Sequence, residues 1–222
     1  MKRLDFDAAV SEGKITYISE DVLTAFIENV KNQSVLFGEK VNRDASIVYS
    51  PLNGTGLIPV TRTLKEMGYT NITLVEEQRL PDGAFPTCPY PNPEIREAMA
   101  RGPEYARRCN ADLLLATDPD CDRVGIAVPD GDDYALFSGN EVGAMLLEYI
   151  CQQRTEKGTM PKNPIAVKTI VTTDIVNAIA KEYGVEIIDV LTGFKFIGEQ
   201  IGFLEAKGEE NRYIFGFEES YG

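Results

Sequence analysis

The segment Ala111-Asp112-Leu113-Leu114-Leu115-Ala116-Thr117, followed at once by Asp118-Pro119-Asp120-Cys121-Asp122-Arg123, is where the fold and the chemistry of this chain first become readable. A short apolar run that stops at a polar turn has the length and bounds of a buried strand. Alternating carboxylates just past a strand end can converge on one hard cation. Three like charges that close also repel, so a metal ion or an arginine has to offset them.

Carboxylate oxygens suit Mg, Ca or Mn better than zinc, and the chain contains no histidine for imidazole ligation. An EF-hand loop starting at Asp118 would need Gly and Glu where Arg123 and Pro129 stand, which excludes it. Magnesium takes few protein ligands and fills its remaining positions with water or phosphate oxygens. Arg123, next to the three aspartates, suits a phosphate through bidentate hydrogen bonding. The plainer alternative is a solvated acidic turn capped by one arginine.

Working outward, 222 residues allow one large or two modest domains, and 43% apolar with 26% charged residues is ordinary for a globular chain. The net charge of −13 argues against a nucleic-acid surface, which needs a basic stripe. Cys88, Cys109, Cys121 and Cys151 are scattered without a C-x-x-C pair, which fits a reducing, cytoplasmic setting. No apolar run approaches the roughly 20 residues of a membrane span, and the N-terminus lacks the apolar core of a signal peptide.

Strand-like and helix-like segments alternate along the chain. Ser19 opens a helix with an apolar stripe at Val22, Phe26, Ile27 and Val30. Residues 47–49 read as a strand, Asn53-Gly54-Thr55-Gly56 as a turn, 58–67 as a helix and 72–75 as a strand. Asn92-Pro93 has the cap-then-proline signature of a helix start, predicting a helix to about Cys109. Strands follow at 113–116, 124–128 and 134–137. Ser138 to Glu141 has capping-box spacing and opens another helix. A strand over 165–171, a helix over 174–183, a strand over 185–190, a helix capped by Thr192 and a strand over 213–217 complete the pattern. The expectation is an α/β chain of two tandem α/β/α units with mainly parallel mixed sheets, divided as residues 1–137 and 138–222.

Two further segments sit at element ends. Glu218-Glu219-Ser220-Tyr221-Gly222 follows a strand, where carboxylates and a hydroxyl can meet sugar hydroxyls. Thr192-Gly193-Phe194-Lys195 starts a helix, and a lysine that early opposes the macrodipole, which points Lys195 at a negative ligand; a surface lysine with its head in water is the alternative. Asn53 to Gly56 lacks the glycine and lysine pattern of a phosphate loop and reads as a structural turn. Cys121, crowded by carboxylates that disfavour a thiolate, reads as a spacer.

Taken together, Pro51-Leu52-Asn53-Gly54-Thr55-Gly56, Pro91-Asn92-Pro93-Glu94, the acidic loop, Leu191-Thr192-Gly193-Phe194-Lys195 and Glu218-Glu219-Ser220-Tyr221-Gly222 resemble the α-D-phosphohexomutase superfamily, nearest its phosphoglucomutase branch. The resemblance covers essentially the whole chain and corresponds to the second and most of the third of four family domains. It implies Mg2+ held by Asp118, Asp120 and Asp122 beside a phosphoserine, with Arg123 near the phosphate. It implies sugar contacts from Thr192, Gly193, Glu218 and Ser220, and a catalytic role for Lys195 in proton transfer. The implied reaction is reversible phosphoryl transfer between sugar 1- and 6-phosphates through a bisphosphate, with no nucleic acid and no membrane as partners. The family's Thr-Ala-Ser-His-Asn-Pro serine motif is absent from this histidine-free chain, as is the phosphate loop of the fourth domain. The expectation is therefore a fragment that needs domains 1 and 4 and is inactive alone.

Glucose, mannose and pentose phosphates stay open as substrates, with Glu-Glu-Ser leaning towards glucose by resemblance. A phosphatase of Asp-x-Asp-x-Thr/Val type fits poorly: from Asp118 the fifth place is Asp122, and from Asp120 the preceding residues make a poor strand. A non-catalytic module that binds metal or sugar phosphate is the other rival.

Overall fold

The computed structural model describes residues 3–219, so Ser220, one of the anticipated sugar contacts, lies outside the described residues. The chain divides into two compact units between Ser34 and Val35. The first holds two helices, α1 (Phe6–Ser11) and α2 (Glu20–Asn32). Asp5 caps α1 by accepting from the Ala8 amide at 3.0 Å, which satisfies one of the unpaired donors at a helix start. Ser19 stands at the cap position of α2 but makes no side-chain cap bond. Of the stripe anticipated there, Ile27 is buried while Val22, Phe26 and Val30 are exposed.

The second unit carries two sheets. The first has the order β2-β1-β3-β4-β5, built from β1 (Ile47–Ser50), β2 (Ile72–Leu74), β3 (Leu113–Thr117), β4 (Val124–Asp130) and β5 (Asp133–Phe137). Helix α3 (Leu57–Glu66) joins β1 to β2, and α4 (Gly102–Cys109) precedes β3. β1 pairs in parallel with both β2 and β3, whereas β3, β4 and β5 are antiparallel. The run of parallel strands thus ends at β3. Residues 118–123 are too few for a crossover, which takes roughly a dozen residues or more, so the chain turns back as a hairpin.

The helix anticipated from Asn92 to Cys109 is shorter than its cap signature suggested. Residues 93–100 form turns, and α4 begins only at Gly102. Asn92 uses its side chain in a local turn, accepting from the Glu94 amide at 3.0 Å. Pro103, at the second helical position, lacks the amide needed to continue an earlier helix and so marks a new start. Gly102 is required there by packing: a Cβ would stand 2.4 Å from a Leu114 methyl carbon. Leu114 is fully buried among Val48, Leu52, Val75, Met99 and Ala127, so its truncation to Ala would cost about 2–5 kcal/mol.

The second sheet is parallel throughout, in the order β7-β6-β8, with β6 (Ile165–Thr169) flanked by β7 (Glu186–Val190) and β8 (Tyr213–Phe217). Leu147 of α5 (Gly139–Glu156) and Val176 of α6 (Ile175–Tyr183) pack with Phe217 and Ile214 on one face. Ile197 and Leu204 of α7 (Phe194–Glu205) pack with Val167 and Ile165 on the other. β6 is buried along its whole length, as a central parallel strand covered on both faces should be. The Ser138–Glu141 capping box at the head of α5 is fully formed, with Ser138 accepting from the Glu141 amide and Glu141 accepting from the Ser138 amide.

Candidate metal centre and adjoining loops

Asp118 follows the last residue of β3, and the hairpin closes where Thr117 pairs with Val124. One carboxylate oxygen from each of Asp118, Asp120 and Asp122 lies within 4.8 Å of the other two. Asp118 is buried, and its Oδ1 accepts from the Asp122 amide at 3.1 Å and the Arg123 amide at 2.9 Å. Its pKa is nevertheless pushed up to about 6: burial disfavours the charged form, and the neighbouring Asp120 and Asp122 add to this against the help of the Arg123 amide. Arg123 Nε stands 3.8 Å from Asp118 and 4.0 Å from Asp122, too far for strong hydrogen bonds. A hard donor set gathered in one place, with its buried member poorly compensated, fits a divalent cation such as magnesium.

The trio opens onto a cleft of about 340 Å³ that Tyr90, Pro91, Asn92 and Arg123 also line. Pro91 to Glu94 is seated by close packing on β4, where a Cβ on Gly125 would meet the Pro93 carbonyl oxygen at 2.4 Å. The Cys121 thiol has its pKa raised, first by burial and then by the surrounding aspartates, so it makes a poor nucleophile.

Beyond the second sheet, Gly193 and Glu218 meet past the ends of β7 and β8, with Thr192 and Lys195 flanking Gly193 along the chain. Thr192 does not cap α7. Gly193 holds the cap position at φ 124°, a conformation open to glycine and costly for other residues, and no side chain caps the helix. Its amide donates instead to Glu218 Oε2 at 3.0 Å, so the strand-end carboxylate orders the turn. Glu218 is buried, Thr192 and Lys195 are exposed, and the Lys195 ammonium lies 4.8 Å from the centre of the Phe196 ring.

The family model for phosphoglucomutase/phosphomannomutase α/β/α domain II matches residues 24–131, and that for domain III matches residues 138–222. A phosphoglucomutase of Staphylococcus saprophyticus is 39% identical over 219 residues, covering 98% of this chain and 38% of the relative. A phosphomannomutase of Mycoplasmoides pirum is 35% identical, covering 99% of this chain and 39% of the relative. The chain belongs to the phosphoglucomutase/phosphomannomutase family. It spans about two fifths of the length of these relatives. A phosphoglucomutase/phosphomannomutase family protein from Burkholderia thailandensis shares the fold at a TM-score of 0.66 and 19% identity, over 97% of this chain and 42% of that one.

Three features of this family member escape a reading by motif. Lys168, buried on β6, pairs with Asp189 at 2.7 Å and Asp174 at 3.2 Å and donates to the Thr172 carbonyl at 3.2 Å. Glu219 Oε2 accepts from the Thr172 hydroxyl at 3.1 Å. Gly139, the first residue of α5, has no room for a side chain because a Cβ would run into the Glu219 carbonyl oxygen and approach Glu94 Oε1 at 3.1 Å. A lysine inside an apolar strand is the one signal among these that the sequence offers.

Proposed function

We propose that this chain supplies the metal-binding and sugar-binding parts of a phosphoglucomutase-type enzyme that interconverts sugar 1- and 6-phosphates. The observation that carries the proposal is the convergence of Asp118, Asp120 and Asp122 at the end of a buried strand, with Arg123 beside them. Magnesium bound there would supply Lewis-acid polarisation of a phosphoryl oxygen. The chain's own residues divide the remaining work. Arg123 holds a phosphate against the cleft and offsets charge during transfer. Glu218, fixed against Gly193, and Ser220 hold sugar hydroxyls together with the Thr192-Gly193 turn. Lys195 moves a proton at the sugar.

Support for a sugar phosphate as substrate comes from an N-acetylphosphoglucosamine mutase of Aspergillus fumigatus, whose structure at a TM-score of 0.51 holds GlcNAc-6P and magnesium. The split into functional parts at residues 137 and 138, and a cytoplasmic location, belong to the same proposal; among the described residues no helix is long and apolar enough to cross a membrane. The nucleophilic serine is proposed to come from polypeptide outside these residues, because the sequence contains no Thr-Ala-Ser-His-Asn-Pro motif. The test is a coupled mutase assay with glucose 1-phosphate, glucose 1,6-bisphosphate and Mg2+, with the chain alone and joined to both the serine-bearing first domain and the phosphate-loop fourth domain of a relative. Turnover by the joined protein alone is expected. Turnover by the 222 residues alone would refute the proposed division of labour, and a dead joined protein would refute the assignment.

A further inference from the structure

We propose that the turn Pro51–Gly56 is the positioning element of the aspartate loop, and that Gly54 and Thr55 act on the loop directly. The inference rests on reading Asp118, Asp120 and Asp122 as metal ligands. In Asp118-Pro119-Asp120-Cys121-Asp122 the spacers Pro119 and Cys121 alternate with the carboxylates, and both spacers are backed by this turn. A Cβ on Gly54 would lie 2.2 Å from Pro119 Cα and 2.4 Å from its carbonyl oxygen. A Cβ on Gly56 would lie 3.0 Å from Cys121 Sγ, 2.4 Å from the Tyr49 hydroxyl and 2.6 Å from the Thr117 hydroxyl. Two glycines two residues apart therefore receive two spacers two residues apart, and the three carboxylates gather together in the same loop.

Hydrogen bonds lock this register. The Thr55 amide donates to the Pro119 carbonyl at 2.9 Å and the Thr55 hydroxyl donates to the same oxygen at 3.1 Å. Beneath the loop the Tyr49 and Thr117 hydroxyls are 2.8 Å apart. Cys121 holds φ 65°, a left-handed value that persists in a non-glycine residue only when its surroundings impose it. The turn is itself fixed firmly enough to act as a template. Leu52 and Asn53 are also left-handed, at φ 46° and 58°. Asn53 is held by its amide donating to the Gln78 carbonyl at 2.8 Å and its Nδ2 donating to the Leu80 carbonyl at 2.9 Å. The buried Gln78 in turn accepts from the Ser50 hydroxyl at 2.7 Å.

The experiment measures Mn2+ affinity by electron paramagnetic resonance and thermal stability on the same samples of the chain. The variants are Gly54→Ala, Thr55→Val, Thr55→Ser and, as a control in open space, Gly83→Ala. Thr55→Val keeps the branched shape and the backbone donor but removes the hydroxyl. Its affinity should fall by about threefold or more, as expected for one net hydrogen bond, with the melting temperature lowered by no more than the loss of that one bond implies and the fold intact. Thr55→Ser and Gly83→Ala should match the wild type, and Gly54→Ala should lose more affinity than Thr55→Val. Wild-type affinity in Thr55→Val, or in a folded Gly54→Ala, overturns the positioning role while leaving the metal site intact. Absence of saturable Mn2+ binding by the wild type overturns the metal reading itself. Should Gly54→Ala fail to fold, the difference between Val and Ser at position 55 decides.

Discussion

The Gly193 amide donates to Glu218 Oε2 across 3.0 Å, tying the end of β8 to the turn that launches α7. Glu218 is buried, so removing its carboxylate strands a donor in a place that water reaches poorly. Glu218→Ala should destabilise the chain by about 1–3 kcal/mol, while Glu218→Gln, which still offers an acceptor, should lose less. Equilibrium urea unfolding of the three proteins measures the difference. Equal midpoints for wild type and Glu218→Ala would show that the bond does not order the turn.

Asp118 gives a prediction whose sign follows from its raised pKa. Its native value is about 6 against an ordinary 3.8, so the folded chain binds more protons than the unfolded chain between those values. The penalty for the ionised form is fully present above pH 6 and is relieved as pH falls towards the ordinary carboxylate range. Asp118→Asn carries no such penalty, and its Oδ1 can still accept from the Asp122 and Arg123 amides. In EDTA at pH 7 this variant should be more stable than the wild type by about 1–2 kcal/mol, less than a full two-unit shift implies because solvent screens the open side. The gap should narrow by about half between pH 7 and pH 5 and close towards pH 4 in urea titrations. A variant less stable than the wild type at pH 7 would contradict the penalty.

What could be read in advance divides along physical lines. The strand before Asp118 was legible because a buried strand writes itself as an apolar run, and Ser138 to Glu141 because a capping box needs only side chains close in sequence. The convergence of the three aspartates was legible for the same local reason. The start of α4 was missed because Asn92-Pro93 and Gly102-Pro103 both carry start signals, and only the packing of Gly102 on Leu114 chooses between them. Thr192 was misplaced as a cap because the partner that orders the turn, Glu218, is distant in sequence. Lys168 and the match of Gly54 and Gly56 to Pro119 and Cys121 are contacts between segments, which no local pattern records.

Metal binding should stabilise the chain by mass action. A concentration of Mg2+ ten times the dissociation constant adds about 1.4 kcal/mol to the native state. Differential scanning calorimetry should therefore show a melting temperature that climbs with Mg2+ in the wild type. Asp120→Asn removes one of three hard anionic ligands and should flatten that dependence, whereas Asp132→Asn, on the turn between β4 and β5, should preserve it. Parallel climbs in the wild type and Asp120→Asn would mean that the metal effect arises elsewhere.

Lys168 predicts an asymmetry between partners of the same ion pair. Its side chain is 3% exposed, while those of Asp189 and Asp174 are 50% and 86% exposed. Burial pulls the ammonium pKa down, yet the two carboxylates more than offset this and leave it raised, so the contribution persists at neutral pH and is lost only at strongly alkaline pH. Lys168→Met leaves two carboxylates that water can solvate, and it fills the buried volume with an apolar chain, so its cost should be near zero. Asp189→Asn leaves the buried ammonium with its nearest carboxylate gone and should cost about 1–3 kcal/mol. Urea unfolding at pH 7 should rank Asp189→Asn below Lys168→Met. The reverse order would mean that the exposed aspartates depend on the lysine more than the buried lysine depends on them.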